Sequence, residues 1–310
     1  SPSSLSPSPL PLACPLPLSQ ILLLNPAPLD VSANEPQAIE IAFDLNTQDM
    51  ANILWAFSTV APPDTIPAMF EACQELVGKK AIEFKGRGLA MVLLAYAKSG
   101  QGSERFWEEL CEELMSRGIL GTLRATELAV ISLALATARC EDCNALEALA
   151  GSVVEQARFF RGDSLRNALC SWASFRQDIP GVSDAVEALA SQRLDARGVA
   201  TVLWNLCQGV DGQAGGQAGS ERLAGRLLKE SERLAGELSL QGVSMVLQAV
   251  LTFPSLRPPG LLNILEDRAM ELTEMSSSRA DTEALAGTLY GFAKARHTPP
   301  ALMGSLGSAA

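Results

Sequence analysis

Apolar residues recur along this chain three and four positions apart, gathered into a motif first met as Met50-Ala51-Asn52-Ile53-Leu54-Trp55-Ala56-Phe57. Imperfect copies follow at Leu89 to Tyr96, Leu128 to Leu135, Leu165 to Trp172, Val199 to Leu206, Val243 to Val250 and Leu285 to Phe292. With Ala51, Ala90, Ala129, Arg166, Ala200, Ser244 and Ala286 as anchors, the steps are 39, 39, 37, 34, 44 and 42 residues. The positions six and one before each anchor are apolar in every copy, from Leu45 and Met50 to Ala280 and Leu285. That spacing places the side chains on one face of a helix, where a strand would alternate. It predicts motif helices over 47–60, 86–99, 126–138, 163–176, 197–208, 241–253 and 282–296.

Each motif helix is followed by a breaker and a second amphipathic segment. Met69, Phe70, Cys73, Leu76 and Val77 mark the first of these, and Phe106, Trp107, Leu110, Cys111 and Leu114 the second. Breakers such as Pro62-Pro63, Gly100-Gln101-Gly102 and Pro258-Pro259-Gly260 force neighbouring helices antiparallel. A hairpin recurring at such a period cannot bury its apolar face alone and stacks on its neighbours. The expected fold is therefore all-α, an α-solenoid of about seven stacked antiparallel helix hairpins with a period near 39 residues.

Residues 1–37 are rich in Pro, Ser and Leu and read as a disordered tail or linker, with the array occupying 38–310. A Gly/Gln/Ala insertion at 209–220 reads as a flexible loop and accounts for the longest step. The seventh unit holds only Ala301-Leu302-Met303 of its second helix, so the array reads as a fragment or as capped by another element.

Composition narrows the chemistry. A net charge of -11 disfavours diffuse attraction to phosphate, so any nucleic-acid contact must be local. The seven cysteines are odd in number and mostly occupy small apolar slots, which suits reduced thiols. No apolar run is long enough to span a membrane. No targeting peptide is recognisable either, because the first 30 residues lack Lys and Arg.

Catalysis has little to stand on. His297 is the sole histidine, which excludes a Ser-His-Asp triad in all but one place, and Gly86-Arg87-Gly88 and Gly100-Gln101-Gly102 do not extend into phosphate loops. Cys140-Glu141-Asp142-Cys143 has the spacing of half a zinc site but no second pair, and reads as a turn. No metal, cofactor or small-molecule substrate is expected. Trp55, Trp107, Trp172 and Trp204 read as core, and Glu104, Glu108, Glu109, Glu112 and Glu113 as one solvated helix face.

The suggestive slot lies five residues before each anchor. It holds natural N-caps (Asn46, Asp195, Ser239, Asp281) in four units and Lys85, Arg124 and Arg161 in three consecutive ones. With Arg87, Arg197 and Arg166 nearby, these side chains form a candidate stripe for a phosphate backbone along stacked helix starts. Positions three before and one after each anchor share a helical face and vary freely. Gln48, Asn52, Thr126, Asn167, Thr201 and Gln241 are the candidate base-reading side chains.

The segment Leu45-Asn46-Thr47-Gln48-Asp49-Met50-Ala51-Asn52-Ile53-Leu54-Trp55-Ala56-Phe57 resembles the octotricopeptide repeat, whose signature runs Leu-Ala-Asn, any residue, Leu-Trp-Ala-Leu/Phe-Ala. Val199-Ala200-Thr201-Val202-Leu203-Trp204 and Leu285-Ala286-Gly287-Thr288-Leu289-Tyr290-Gly291-Phe292-Ala293 are similar to it. Three units carry Leu133, Cys170 and Gln248 where that family has Trp. The resemblance implies a non-enzymatic binder of single-stranded RNA acting in post-transcriptional control in mitochondria or chloroplasts. The acidic balance points instead to a protein-protein scaffold, and the placement of the six basic residues separates the two readings.

Overall fold

The structure is a computed structural model, and it describes residues 46–60, 66–116, 119–140, 142–175, 178–210, 217–275 and 279–297. The expected tail at 1–37 and the final residues 298–310 lie outside the described residues.

Thirteen α-helices and no strand occur among the described residues. In chain order they are α1 (Thr47–Val60), α2 (Ile66–Lys80), α3 (Gly86–Ser99), α4 (Glu104–Ser116), α5 (Ala125–Ala138), α6 (Cys143–Gln156) and α7 (Gly162–Ser174). There follow α8 (Val182–Ala190), α9 (Ala196–Val210), α10 (Gln217–Arg233), α11 (Leu240–Thr252), α12 (Leu261–Met275) and α13 (Arg279–Lys294). The odd-numbered helices carry the motif, and each packs against the next odd one from α1 to α13. The even-numbered helices lie against their own hairpin partners, with α2, α4, α6 and α8 also touching in succession.

Small residues set the closeness of the motif layer. A Cβ added at Gly88 would sit 4.0 Å from the Cβ of Ala51, and one at Gly242 would sit 3.7 Å from that of Ala200. Where helix faces carry Ala and Gly the axes approach closely, and the larger apolar residues fill the flanks. Leu54, Leu93, Leu128, Leu165, Leu203 and Leu247 are all wholly buried in one connected core. At roughly 25 cal/mol per Å² of apolar surface removed from water, burial of this whole core drives the packing.

Turns between hairpins repeat as well. Short 3-10 segments at Ala81–Glu83, Ala157–Phe159 and Ala235–Glu237 lead into α3, α7 and α11. In each, the next residue (Phe84, Phe160, Leu238) donates its N–H to the carbonyl of the segment's first alanine, at 3.3, 3.2 and 3.1 Å. The same three residues occupy the buried slot six before the anchor, so one side chain closes the turn and plugs the core.

Two expectations are corrected. The insertion at 209–220 is not one continuous loop, because α9 runs to Val210 and α10 begins at Gln217; residues 211–216 lie outside the described residues. Gln and Ala are good helix formers, and they extend the helix where the Gly-rich reading saw a loop. Asp281 does not cap α13, which begins two residues earlier at Arg279.

Candidate nucleic-acid interface

The starts of α3 and α5 lie side by side. A Cβ at Gly86, the first residue of α3, would collide with the Leu123 side chain and sit 3.1 Å from Oε2 of Glu127 at the start of α5. In three units a side-chain acceptor caps the start, as expected. Asn46 Oδ1 accepts from the Gln48 and Asp49 N–H groups, Asp195 Oδ1 from Gly198 at 2.7 Å and Ser239 Oγ from Gly242 at 3.1 Å. Such caps satisfy N–H groups that the helix leaves unpaired.

Lys85, Arg124 and Arg161 replace those acceptors at α3, α5 and α7, and the three side chains are exposed. Lysine and arginine cannot accept, so the cap must come from elsewhere. At α5 the Glu127 carboxylate does it, accepting the Arg124 backbone N–H at 2.9 Å and its guanidinium at 3.1 Å. At α7 Ser164 Oγ accepts the Arg161 N–H at 3.1 Å, while the guanidinium turns back to the Phe160 carbonyl at 2.6 Å. Lys85 caps nothing.

Arg87 and Arg197 project from the first turns of α3 and α9 and are exposed. Arg166 departs from the expected stripe. Its side chain is only 9% exposed and holds Asp163 Oδ1 at 2.6 Å. It sits at an anchor position, where Ala51, Ala90, Ala129 and Ala200 are buried, so the packing that buries the anchor withdraws this charge from solvent.

The candidate base-reading pairs divide. The position three before the anchor (Gln48, Arg87, Thr126, Asp163, Arg197, Gln241, Glu283) is exposed in all seven motif helices. The position one after it (Asn52, Met91, Val130, Asn167, Thr201, Met245, Gly287) is half-buried in all seven. Met91, Val130 and Met245 pack on the core, so this second slot is a rim of the core and not a free reading position. Gln48 and Asn52 bond to each other at 3.2 Å, and Thr201 Oγ1 donates to the Arg197 carbonyl at 2.8 Å.

Of the tryptophans, Trp55, Trp107 and Trp172 are buried and Trp204 is half-buried. Lys98 lies 4.5 Å over the Trp55 ring. Among the described residues no three His, Cys, Asp or Glu side chains are grouped to hold a metal, and no helix is long and apolar enough to cross a membrane.

A second basic set lies on α10, outside the motif helices. Arg222, Arg226, Lys229 and Arg233 lie on one face of α10 and line a groove of about 730 Å³ against Ser255 and Leu256. Their steps of four, three and four residues were legible as a helical stripe. Two of them are already engaged, Arg222 with Glu187 at 3.2 Å and Arg233 with Glu230 at 2.5 Å. Compared with models of protein families and with curated proteins, the chain matches none.

Proposed function

We propose that this chain is a helical-repeat binder of single-stranded RNA. In this reading it is a solenoid of about seven antiparallel hairpins with a period near 39 residues, similar to octotricopeptide-repeat proteins and acting in a mitochondrion or chloroplast. The observation that carries the reading is the run of exposed cations at the starts of consecutive motif helices: Lys85 and Arg87 on α3, Arg124 on α5, Arg161 on α7 and Arg197 on α9. In a chain of net charge -11 such a run is a local exception. Cations tracking a backbone release counterions and bind regardless of sequence, while the exposed slot three before each anchor offers one variable side chain per unit to a base.

The test is RNA binding at low salt by the full chain and by a Lys85→Ser, Arg124→Ser, Arg161→Ser triple variant. Serine already occupies this slot at position 239, so the fold tolerates it. Loss of most affinity in the variant, with affinity of the parent falling steeply as salt rises, supports the reading. No binding by the parent at low salt ends it.

A protein-protein scaffold is the second reading, and the pairing of Arg166 with Asp163 and of Arg124 with Glu127 favours it. Charge balanced within the chain in this way needs no polyanion. Capture of protein partners and no RNA from its own cells would select it.

A further inference from the structure

Cys140 stands three residues before Cys143 in the sequence, and the fold sets it against Cys111. Cys111 lies in α4, in the second hairpin, and Cys140 in the turn between α5 and α6, in the third. Their sulfurs are 3.8 Å apart although the residues are 29 positions apart. Cys73 and Cys207 are buried, and Cys170 accepts a hydrogen bond from Asn205 at 3.2 Å.

The two thiols differ in the way that stepwise exchange requires. Cys111 is wholly buried and Cys140 is half-exposed. The Cys111 S–H donating to Cys140 pulls the Cys140 thiol down to about 7, helped by the Asp142 backbone N–H and opposed by burial. The same contact and burial push the Cys111 thiol up. A disulfide needs sulfurs at about 2.05 Å, so they must close by under 2 Å. Cys140 is in a turn, following Arg139 with its left-handed φ of 55°, and the movement falls there and not on α4.

We propose that Cys111 and Cys140 form a redox-responsive dithiol that closes as a disulfide between neighbouring hairpins when the protein meets a small-molecule disulfide of the glutathione class. The Cys140 thiolate attacks one sulfur of that disulfide, a mixed disulfide forms at Cys140, and one small thiolate leaves and takes up the proton Cys140 has lost. Cys111 then gives up its proton and attacks Cys140 Sγ. The sulfur-sulfur bond to the small molecule breaks, and a second small thiol departs with that proton. Two protein thiols are oxidised and one small disulfide is reduced to two thiols. Burial keeps Cys111 from the oxidant, so entry is at Cys140 alone. The product ties the second hairpin to the third by a covalent bond.

The experiment exposes the full chain to oxidised glutathione, blocks remaining thiols with N-ethylmaleimide at intervals, and maps the products by mass spectrometry. The parent protein and its Cys143→Ser variant should both yield a peptide pair joined through Cys111 and Cys140, preceded by a transient glutathione adduct at Cys140. The Cys111→Ala variant should stop at that adduct, and Cys140→Ser should leave Cys111 unmodified. If Cys111→Ala does not fold, the time course of the parent decides alone. A bridge between Cys140 and Cys143, a glutathione adduct that persists on the parent, or a parent left unmodified at Cys140 overturns the proposal.

Discussion

The indole N–H of Trp172 in α7 donates to Ser132 Oγ in α5 across 3.0 Å, and neither side chain is reached by solvent. Ser132 in turn donates to the Leu128 carbonyl at 2.8 Å, so a polar relay runs between two motif helices inside an otherwise apolar layer. A buried donor that loses its acceptor forfeits its hydration without return, at about 1–3 kcal/mol. Ser132→Ala should lower stability by that amount in urea titration, with the slope unchanged. A variant as stable as the parent would show that the relay contributes nothing.

Glycine to alanine should have opposite signs at two helical sites. Gly151 in α6 is exposed, and an added Cβ would meet nothing within 4 Å, so Gly151→Ala should stabilise by about 0.5–1 kcal/mol through helix propensity. At Gly291 in α13 the new Cβ would lie 2.8 Å from the Cβ of Leu247 in α11, at the stem of that side chain and not at its flexible end. Overpacking of this kind costs about 1–3 kcal/mol, and the melting midpoint of Gly291→Ala should fall.

The Arg166 and Asp163 pair should respond asymmetrically. Arg166 is buried whereas Asp163 is about half-exposed, at 53%. Asp163→Ala leaves a buried guanidinium without its carboxylate, while Arg166→Met replaces it by an apolar side chain of similar length and leaves Asp163 in water. The first should destabilise by about 1–3 kcal/mol, below the cost for a fully buried pair, and the second by less. Neither substitution should change RNA affinity, which separates Arg166 from Lys85, Arg87 and Arg197. Chemical denaturation beside RNA titration reads both effects.

Alkylation of the thiols should follow pH in a residue-specific order. Only the thiolate reacts, so iodoacetamide labelling of Cys140 should rise through about pH 7. Cys111→Ala removes the S–H that holds this thiol down, and the midpoint should move up toward the ordinary value of 9.0. Cys73, pushed up to about 11 by burial, should stay unlabelled at neutral pH. Peptide-resolved labelling rates across pH 6–10 test all three expectations.

Periodicity alone determined a great deal of this protein. A three-and-four spacing repeated in seven registers, such as Met50, Leu54 and Phe57 in the first, specifies helices and their buried face, because helical geometry is local and each register repeats the same constraint. The starts of α1 and α3 at Thr47 and Gly86, and the caps by Asn46, Asp195 and Ser239, follow from the same local rules. What only the tertiary structure decided is which residues of different units meet. Arg166 reads as a surface cation until the fold buries it, and Cys140 reads as part of a turn until the fold sets it against Cys111. Ser132 and Trp172 carry no local sign that they bond at all. Contacts 29 or 40 residues apart depend on how closely helices approach and how each is turned, and those distances are set by the summed packing of small residues such as Ala51 against Gly88. No single stretch of the chain contains that sum.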